Sequence, residues 1–284
     1  MEYYGLITVS VILFGITFFF NDRYQKESGS SMGATFIFSL VNSLAGLFCL
    51  LVTNGFRLDF TPFTLVMAVL TAMNAIGYTF CSLKAFEHIN LSLYSIFAML
   101  GGMLLPFVVG ILFYDESLTV GKSIALILIA AALAFTVKRG EKKNGTIYYV
   151  GVFVLNGMSG VLAKIFQSAP YEKTDAASYS IWSALVCAVI SAFVLFVIRK
   201  SVKKPSAKAI ALSSGFGAIN KIANYMLLVA LAVLPASVQY PFVTGGTMIV
   251  STVIALISRQ KPSLKELVSV ALSFGGVLIL VFCV

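Results

Sequence analysis

The sequence predicts an all-α membrane protein, with ten transmembrane helices arranged as two inverted-topology repeats of five. Three observations carry that prediction. Hydrophobic residues make up 59% of the 284 and charged residues only 11%, against roughly 45–50% and about 25% in a soluble domain. Apolar runs recur from end to end, each long enough at about 1.5 Å per residue to cross a hydrocarbon core of roughly 30 Å. The chain also aligns with itself: at an offset of 144, "MLGGMLLPFVVGILFYDESLTVGKSIALILIAAAL" (99–133) matches "VTGGTMIVSTVIALISRQKPSLKELVSVALSFGGV" (243–277) without gaps, Gly101 and Gly102 falling on Gly245 and Gly246.

The runs are 3–20, 32–53, 62–83, 91–113, 120–137, 146–166, 176–198, 207–232, 236–257 and 264–284. Membrane strands would show alternating segments of about ten residues, whereas these runs are continuous, so each reads as a helix. The first has no basic residue before it and no small-residue cleavage pattern after it, and is expected to remain as a helix instead of leaving as a signal peptide. The third carries Asn74 and Tyr78 at i and i+4. The fourth carries Ser92, Ser95, Met99, Gly102 and Pro106 along one stripe. The sixth sets Asn156, Gly160, Lys164 and Gln167 on one face, and the seventh holds Trp182, the only tryptophan. In the eighth, Gly217, Asn220, Lys221 and Asn224 share a face at helical spacing. The ninth contains "LPASVQYPFVTGG" (234–246), whose two prolines and Gly-Gly pair make it the expected site of a bend or break, with Gln239 and Tyr240 as its polar groups. The four cysteines fall inside spans without metal or CxxC spacing and read as small buried hydrophobes.

The repeat extends to the earlier spans. "YYGLITV" (3–9) resembles "YYVGVFV" (148–154), and "AMNAIGY" (72–78) resembles "AINKIANY" (218–225), with Asn74 opposite Asn220. Residues 1–140 form the first repeat and 141–284 the second, within one integral membrane domain, joined at the charged "KRGEKKNG" (138–145). Five is odd, so the second half enters the membrane from the opposite side, which makes the pair inverted.

The formal charge of +9 is distributed by loop. Arg23, Lys26, Lys84, Lys138, Arg139, Lys142, Lys143, Arg199, Lys200, Lys203, Lys204, Lys208, Arg259, Lys261 and Lys265 belong to the odd-numbered connections; only Arg57, Lys122 and Lys173 lie on the other side. By the positive-inside rule the odd connections are cytoplasmic and both termini lie outside the cell membrane. The basic excess is thus topological: the lipid bilayer is the expected partner and nucleic acid is not.

Ten helices as five plus five, with "DESLTVGKSIALILIAAALAF" closing the first half and "PSLKELVSVALSFGGVLILVF" the second, resemble the drug/metabolite transporter superfamily, and most closely its ten-helix EamA-like branch. Glu116 and Thr119 carry the first copy of its loose motif; Gln260 and Ser263 stand in the second, which lacks the acidic residue. The resemblance implies a metabolite or drug carrier that needs no nucleotide. Ten-helix relatives are usually drawn with both termini in the cytoplasm, whereas the loop charges here favour both outside.

All eleven carboxylates lie in loops or at span ends. Lys221, by contrast, sits near the middle of the eighth span, where a charge costs roughly 2.5–3.5 kcal/mol on insertion scales. Lys164 lies two residues before the end of its span, within snorkelling reach of an interface. The expected substrate-binding set is Lys221, Asn220, Asn224, Asn74, Tyr78, Asn156, Lys164, Gln239, Tyr240 and Trp182. A central cation without a central carboxylate favours an anionic or zwitterionic small-molecule substrate, with Lys221 as counter-charge and the amides and phenols fixing orientation. Proton coupling through a desolvated lysine stays open, as does assembly as monomer or homodimer.

Catalysis finds no support. His88 is the only histidine, there is no HExxH and no GxxxxGK[ST] loop, and no cofactor or metal is expected. The function expected is secondary transport of a small polar metabolite by alternating access. The alternatives are a multidrug or cation exporter of the same fold and a non-transporting membrane scaffold.

Overall fold

The computed structural model describes residues 2–113, 145–231, 236–260 and 262–282, together with residues 120, 121, 123, 124, 127, 128 and 131. Among the described residues there is no strand. The helices are α1 (Glu2–Ser28), α2 (Met32–Thr53), α3 (Pro62–Ala85), α4 (Leu91–Phe113), α5 (Thr146–Ser168), α6 (Ala176–Val197), α7 (Ala207–Leu231), α8 (Ala236–Ile257) and α9 (Leu264–Phe282), with one 3-10 turn at Arg199–Ser201. These correspond to the first four and last five apolar runs. The described positions of the fifth run, 120–137, are helical; the rest of that run and 138–144 of the linker lie outside the described residues.

Six helices among the described residues are long and apolar enough to cross a membrane: α1 over Tyr4–Ser28, then α2 to α6 over their full lengths. Their flanks are apolar and open. Phe48 in α2, Phe113 in α4 and Phe193 in α6 are each at least 65% exposed. Bare aromatic and aliphatic surface on this scale would promote aggregation in water and is at home in hydrocarbon. The chain is an α-helical membrane protein.

Local sequence sets the helix starts. Ser31, Thr61 and Asp175 each cap a helix by accepting a hydrogen bond from the backbone N–H three residues on, and Pro62 occupies the first helical position of α3. The first run continues eight residues beyond its expected end. Tyr24 is fully buried and donates its hydroxyl to the Ala34 carbonyl, and Lys26 pairs with Asp22 one turn back, so the polar extension is held by packing and not by lipid.

The helices interleave. The principal packing pairs are α4 with α5, α1 with α7, α2 with α7, α2 with α6, α1 with α8, α3 with α5, α3 with α6, α4 with α8, and α8 with α9. Close approach is made by glycines. A Cβ at Gly101 of α4 would collide with the backbone of Phe153 in α5, and one at Gly157 of α5 would lie 2.6 Å from the Gly101 carbonyl oxygen. α8 is helical through Pro241, Gly245 and Gly246, so the expected break in the ninth span does not fall at these residues; Pro235 lies outside the described residues. The physical reason is that its glycine serves packing: a Cβ at Gly246 would lie 2.8 Å from Val11 of α1.

Candidate functional site

Hydrogen bonds divide the connections between two ends. At one end, Gln260 after α8 donates from Nε2 to Asp22 Oδ2 of α1 (2.9 Å), and its Oε1 accepts the Leu91 N–H that opens α4 (3.0 Å). Arg259 is in the left-handed region (φ 59°), a conformation that a non-glycine residue adopts only when its surroundings hold it there. The turn at Arg259 delivers Gln260 into this site. Beside it, Asn90 donates to Glu266 of α9 (2.9 Å), which also accepts the Ser263 N–H; Ser30 meets Glu87, and Glu27 takes Lys208 (2.9 Å) and Ser206. This end gathers the α1–α2, α3–α4, α6–α7 and α8–α9 connections, which carry most of the loop lysines and arginines. At the other end, Trp182 Nε1 donates to the Asp59 carbonyl (2.8 Å), Ser178 Oγ accepts the Asp59 N–H, and Thr64 bonds Thr174 (3.2 Å). Lys173 closes the end of α5 on the Gln167 and Ala169 carbonyls.

The mid-depth candidates separate into two groups. Asn74 donates from Nδ2 to the Leu155 carbonyl (2.9 Å) and to Ser159 Oγ (2.8 Å), tying α3 to α5. Asn156 donates to the Ala98 carbonyl (2.6 Å), tying α5 to α4 beside the glycine crossing. Tyr78 meets Tyr94 (2.7 Å), whose hydroxyl also contacts Ser82; Tyr94 is fully buried, stacked on Phe86 (4.1 Å between centroids) and edge-on to Phe18. These side chains already have protein partners at helix seams.

The second group lies on α7. Asn224 donates back to the Asn220 carbonyl (2.8 Å) and side chain (3.1 Å), one turn away on the same helix. Lys221 packs its stem over Gly46 of α2, where a Cβ would lie 2.5 Å from Lys221 Cγ; Gly217, a turn earlier, abuts the Asn42 carbonyl. Cys187 of α6, with Ser43 and Ser191 beside it, lies in the neighbourhood of Lys221. Ser191 Oγ is buried without a hydrogen-bond partner. Among the described residues, Lys221 has no hydrogen bond or ion pair.

Lys221 also borders a cleft of about 470 Å³ between α1, α2 and α7, lined by Leu6, Cys49, Leu50 and Thr53 with Ile222, Tyr225, Met226 and Val229. Among the expected site residues whose side chains the structure describes, Lys221 alone lines this cleft. Trp182 anchors the α2–α3 connection, and Lys164 is half-buried one turn from the end of α5. Gln239 and Tyr240 lie within α8, with side chains outside the described residues.

Sequence reasoning did not find Asp22, Tyr94, Ser82 or Gly46 as site residues. Asp22 had a signal in its i, i+4 spacing to Lys26, and Gln260 one in its repeat position; Gly46 had none beyond being small.

No family model matches the chain, and no curated protein matches it. Among solved structures, one described only as "Crystal structure of protein" is similar over 98% of this chain and 96% of that chain, with a TM-score of 0.61 and 14% sequence identity. At that identity the likeness is one of fold alone.

Proposed function

We propose that this protein is a secondary transporter that carries a small anionic or zwitterionic metabolite across the cytoplasmic membrane by alternating access, without a cofactor and without catalytic chemistry. On this reading α7, α8, α9 and the 120–137 segment also cross the membrane, giving ten spans in two inverted repeats with both termini outside. This is the architecture of the EamA-like carriers that the sequence resembles.

The observation that carries the reading is the symmetry of the helix pairing. Exchanging each span with its counterpart five later turns α4–α5 into α8–α1, α1–α7 into α5–α3 and α2–α7 into α6–α3, while α2–α6 and α4–α8 map onto themselves; all of these pairs occur. Individual contacts follow the same exchange. Gly160 meets Pro106 where Gly15 meets Val250, and Gly102 meets Asn156 where Gly246 meets Val11. Two similar halves in opposite orientation have two near-equivalent ways to pack, one open to each side, which is the physical basis of alternating access. The ties at the basic end support a state closed on that side. The mid-membrane Lys221, lacking an ion-pair partner among the described residues, supports a substrate that brings the negative charge.

Uptake in proteoliposomes across a panel of metabolites tests the proposal, with Lys221→Gln beside the wild type. The expected result is saturable flux of at least one anionic or zwitterionic compound that Lys221→Gln reduces tenfold or more. A variant that transports every accepted compound at the wild-type rate removes the charge role. Absence of flux for the whole panel, in either direction of gradient, favours a scaffold.

A further inference from the structure

The length of α6 places the turn that follows it. Its 22 residues, Ala176–Val197, extend about 33 Å at about 1.5 Å per residue, which matches a hydrocarbon core of roughly 30 Å. The 3-10 turn Arg199–Ser201 therefore falls at the depth of the lipid headgroups. Between residues 199 and 208 the chain carries Arg199, Lys200, Lys203, Lys204 and Lys208 and no carboxylate. Lys208 is taken by Glu27; among the described residues none of the other four has an ion pair. The α2–α3 connection at the other end carries Arg57 and Asp59 and is neutral, so a helix connection in this bundle does not require such charge.

The turn is held from both sides. Ile198 closes α6 on the Val194 carbonyl, and its own carbonyl accepts the Ser201 N–H (2.8 Å). Val202 packs against Gly33 of α2, where a Cβ would lie 3.3 Å from its methyl groups, and Ser206 and Lys208 both bond Glu27 of α1. A shallow cleft of about 300 Å³ lies at this turn, lined by Phe196, Val197, Ile198, Arg199, Lys200 and Ser201. The Arg199 guanidinium sits 5.0 Å over the Phe196 ring, so charge and hydrocarbon meet within one site. Toward mid-membrane the apolar wall continues: Val189, Phe193, Phe196 and Val197 share one strip of α6, and each is at least 60% exposed.

That arrangement discriminates among ligands. A free inorganic anion would answer the basic turn and leave Phe196 and Val197 unused. An acidic peptide would approach from water, whereas the strip on α6 is of the kind that faces hydrocarbon. A zwitterionic phospholipid would bring its ammonium among Lys200, Lys203 and Lys204, where like charges repel. An anionic phospholipid meets both parts of the site, and each basic residue near an anionic leaflet is worth about fivefold in affinity. We propose that the α6–α7 connection holds one anionic phospholipid of the leaflet at the basic end, its phosphate at Arg199, Lys200 and Ser201 and one acyl chain along Val189, Phe193 and Phe196. The site stands whether or not the chain transports.

The test uses the full chain in dodecylmaltoside, titrated with palmitoyloleoyl phosphatidylglycerol or palmitoyloleoyl phosphatidylcholine, with bound lipids counted by native mass spectrometry. The first phosphatidylglycerol is expected to bind at least tenfold more tightly than the first phosphatidylcholine. Arg199→Gln combined with Lys200→Gln should weaken it at least tenfold. Lys84→Gln combined with Lys265→Gln removes the same charge from the same end and should change it less than twofold. Arg199 and Lys200 are exposed, so their replacement leaves the fold intact. Phe196→Ser keeps every charge and should weaken phosphatidylglycerol severalfold; no change there removes the apolar half of the site and overturns the proposal. Equal weakening in the two double variants means diffuse attraction to a basic surface and overturns it, as does phosphatidylcholine binding as tightly as phosphatidylglycerol. Displacement of the bound lipid by inorganic phosphate or by hexaglutamate at equal concentration reassigns the turn to a soluble anion or an acidic peptide and likewise overturns it.

Discussion

Replacing Gln260 by leucine should loosen the basic end of the bundle by an amount the contacts define. Gln260 donates to Asp22, which is only 2% exposed, and accepts the Leu91 N–H. The first is a hydrogen bond to a charged group, worth about 1.5–3 kcal/mol, and losing the second strands a buried N–H at about 1–3 kcal/mol. Taking the lower halves of both ranges gives a total loss of about 2.5–4 kcal/mol. Lys26 also pairs with Asp22, but its side chain is half-exposed and the pair contributes little. A double-mutant cycle isolates the contact. Gln260→Leu, Asp22→Ala and the double variant are unfolded from mixed micelles with sodium dodecyl sulfate, and a coupling of about 1.5–2 kcal/mol is expected between the two positions. Independent sites add within about 0.3–0.5 kcal/mol, so a coupling below that refutes the tie.

Two further outcomes follow from the seams. Gly101→Ala should destabilise by about 1–3 kcal/mol in the same titration, since its Cβ collides with the Phe153 backbone and wedges α4 from α5, while Gly5→Ala, with nothing within 4 Å, should be neutral or stabilising by up to about 1 kcal/mol. Equal effects at the two glycines would remove the close crossing. Asp59 offers its carbonyl to Trp182, so proteolysis of the α2–α3 connection in Trp182→Phe should run several-fold faster than in the wild type, and an unchanged rate would show that this bond does not hold the loop.

What the sequence made legible was what lipid enforces. Nine of the ten runs coincide with described helices to within a few residues at most ends, because an uninterrupted apolar stretch has one way to satisfy its backbone in hydrocarbon. The exception at an end is α1, where Tyr24 is held by the Ala34 carbonyl across the turn to α2 and Asp22 by Gln260, far away in sequence. The candidate site was legible only as a set of residue types. Asn74 and Asn156 were read as members of polar faces, and a face does not say whether an amide meets a ligand or a neighbouring carbonyl; here Leu155 and Ala98 supply the carbonyls. Likewise the Gly-Gly pair of the ninth span suggested a break, whereas Gly246 brings α8 against Val11.

In the proposed repeat Lys221 has no counterpart, which on the transporter reading bears on direction. Aligning Asn74 with Asn220 places Ala75 opposite Lys221, so the α3–α6 seam carries no cation where the α7–α2 seam carries one. The α3–α6 seam is instead closed by Thr71 on Tyr179 (2.6 Å), with Tyr179 stacked on Phe166 at 4.0 Å between centroids. Two halves of like shape but unlike charge cannot bind an anion equally in both orientations of the bundle. If the two halves exchange roles as the transporter reading has it, the position that offers an anion Lys221 in one state offers it a methyl group in the other. On the transporter reading, affinity for the substrate therefore differs between the two sides. Measured from opposite faces of oriented proteoliposomes, the half-saturation concentrations should be unequal in the wild type and should converge in Lys221→Ala, which restores the symmetry at this pair of positions.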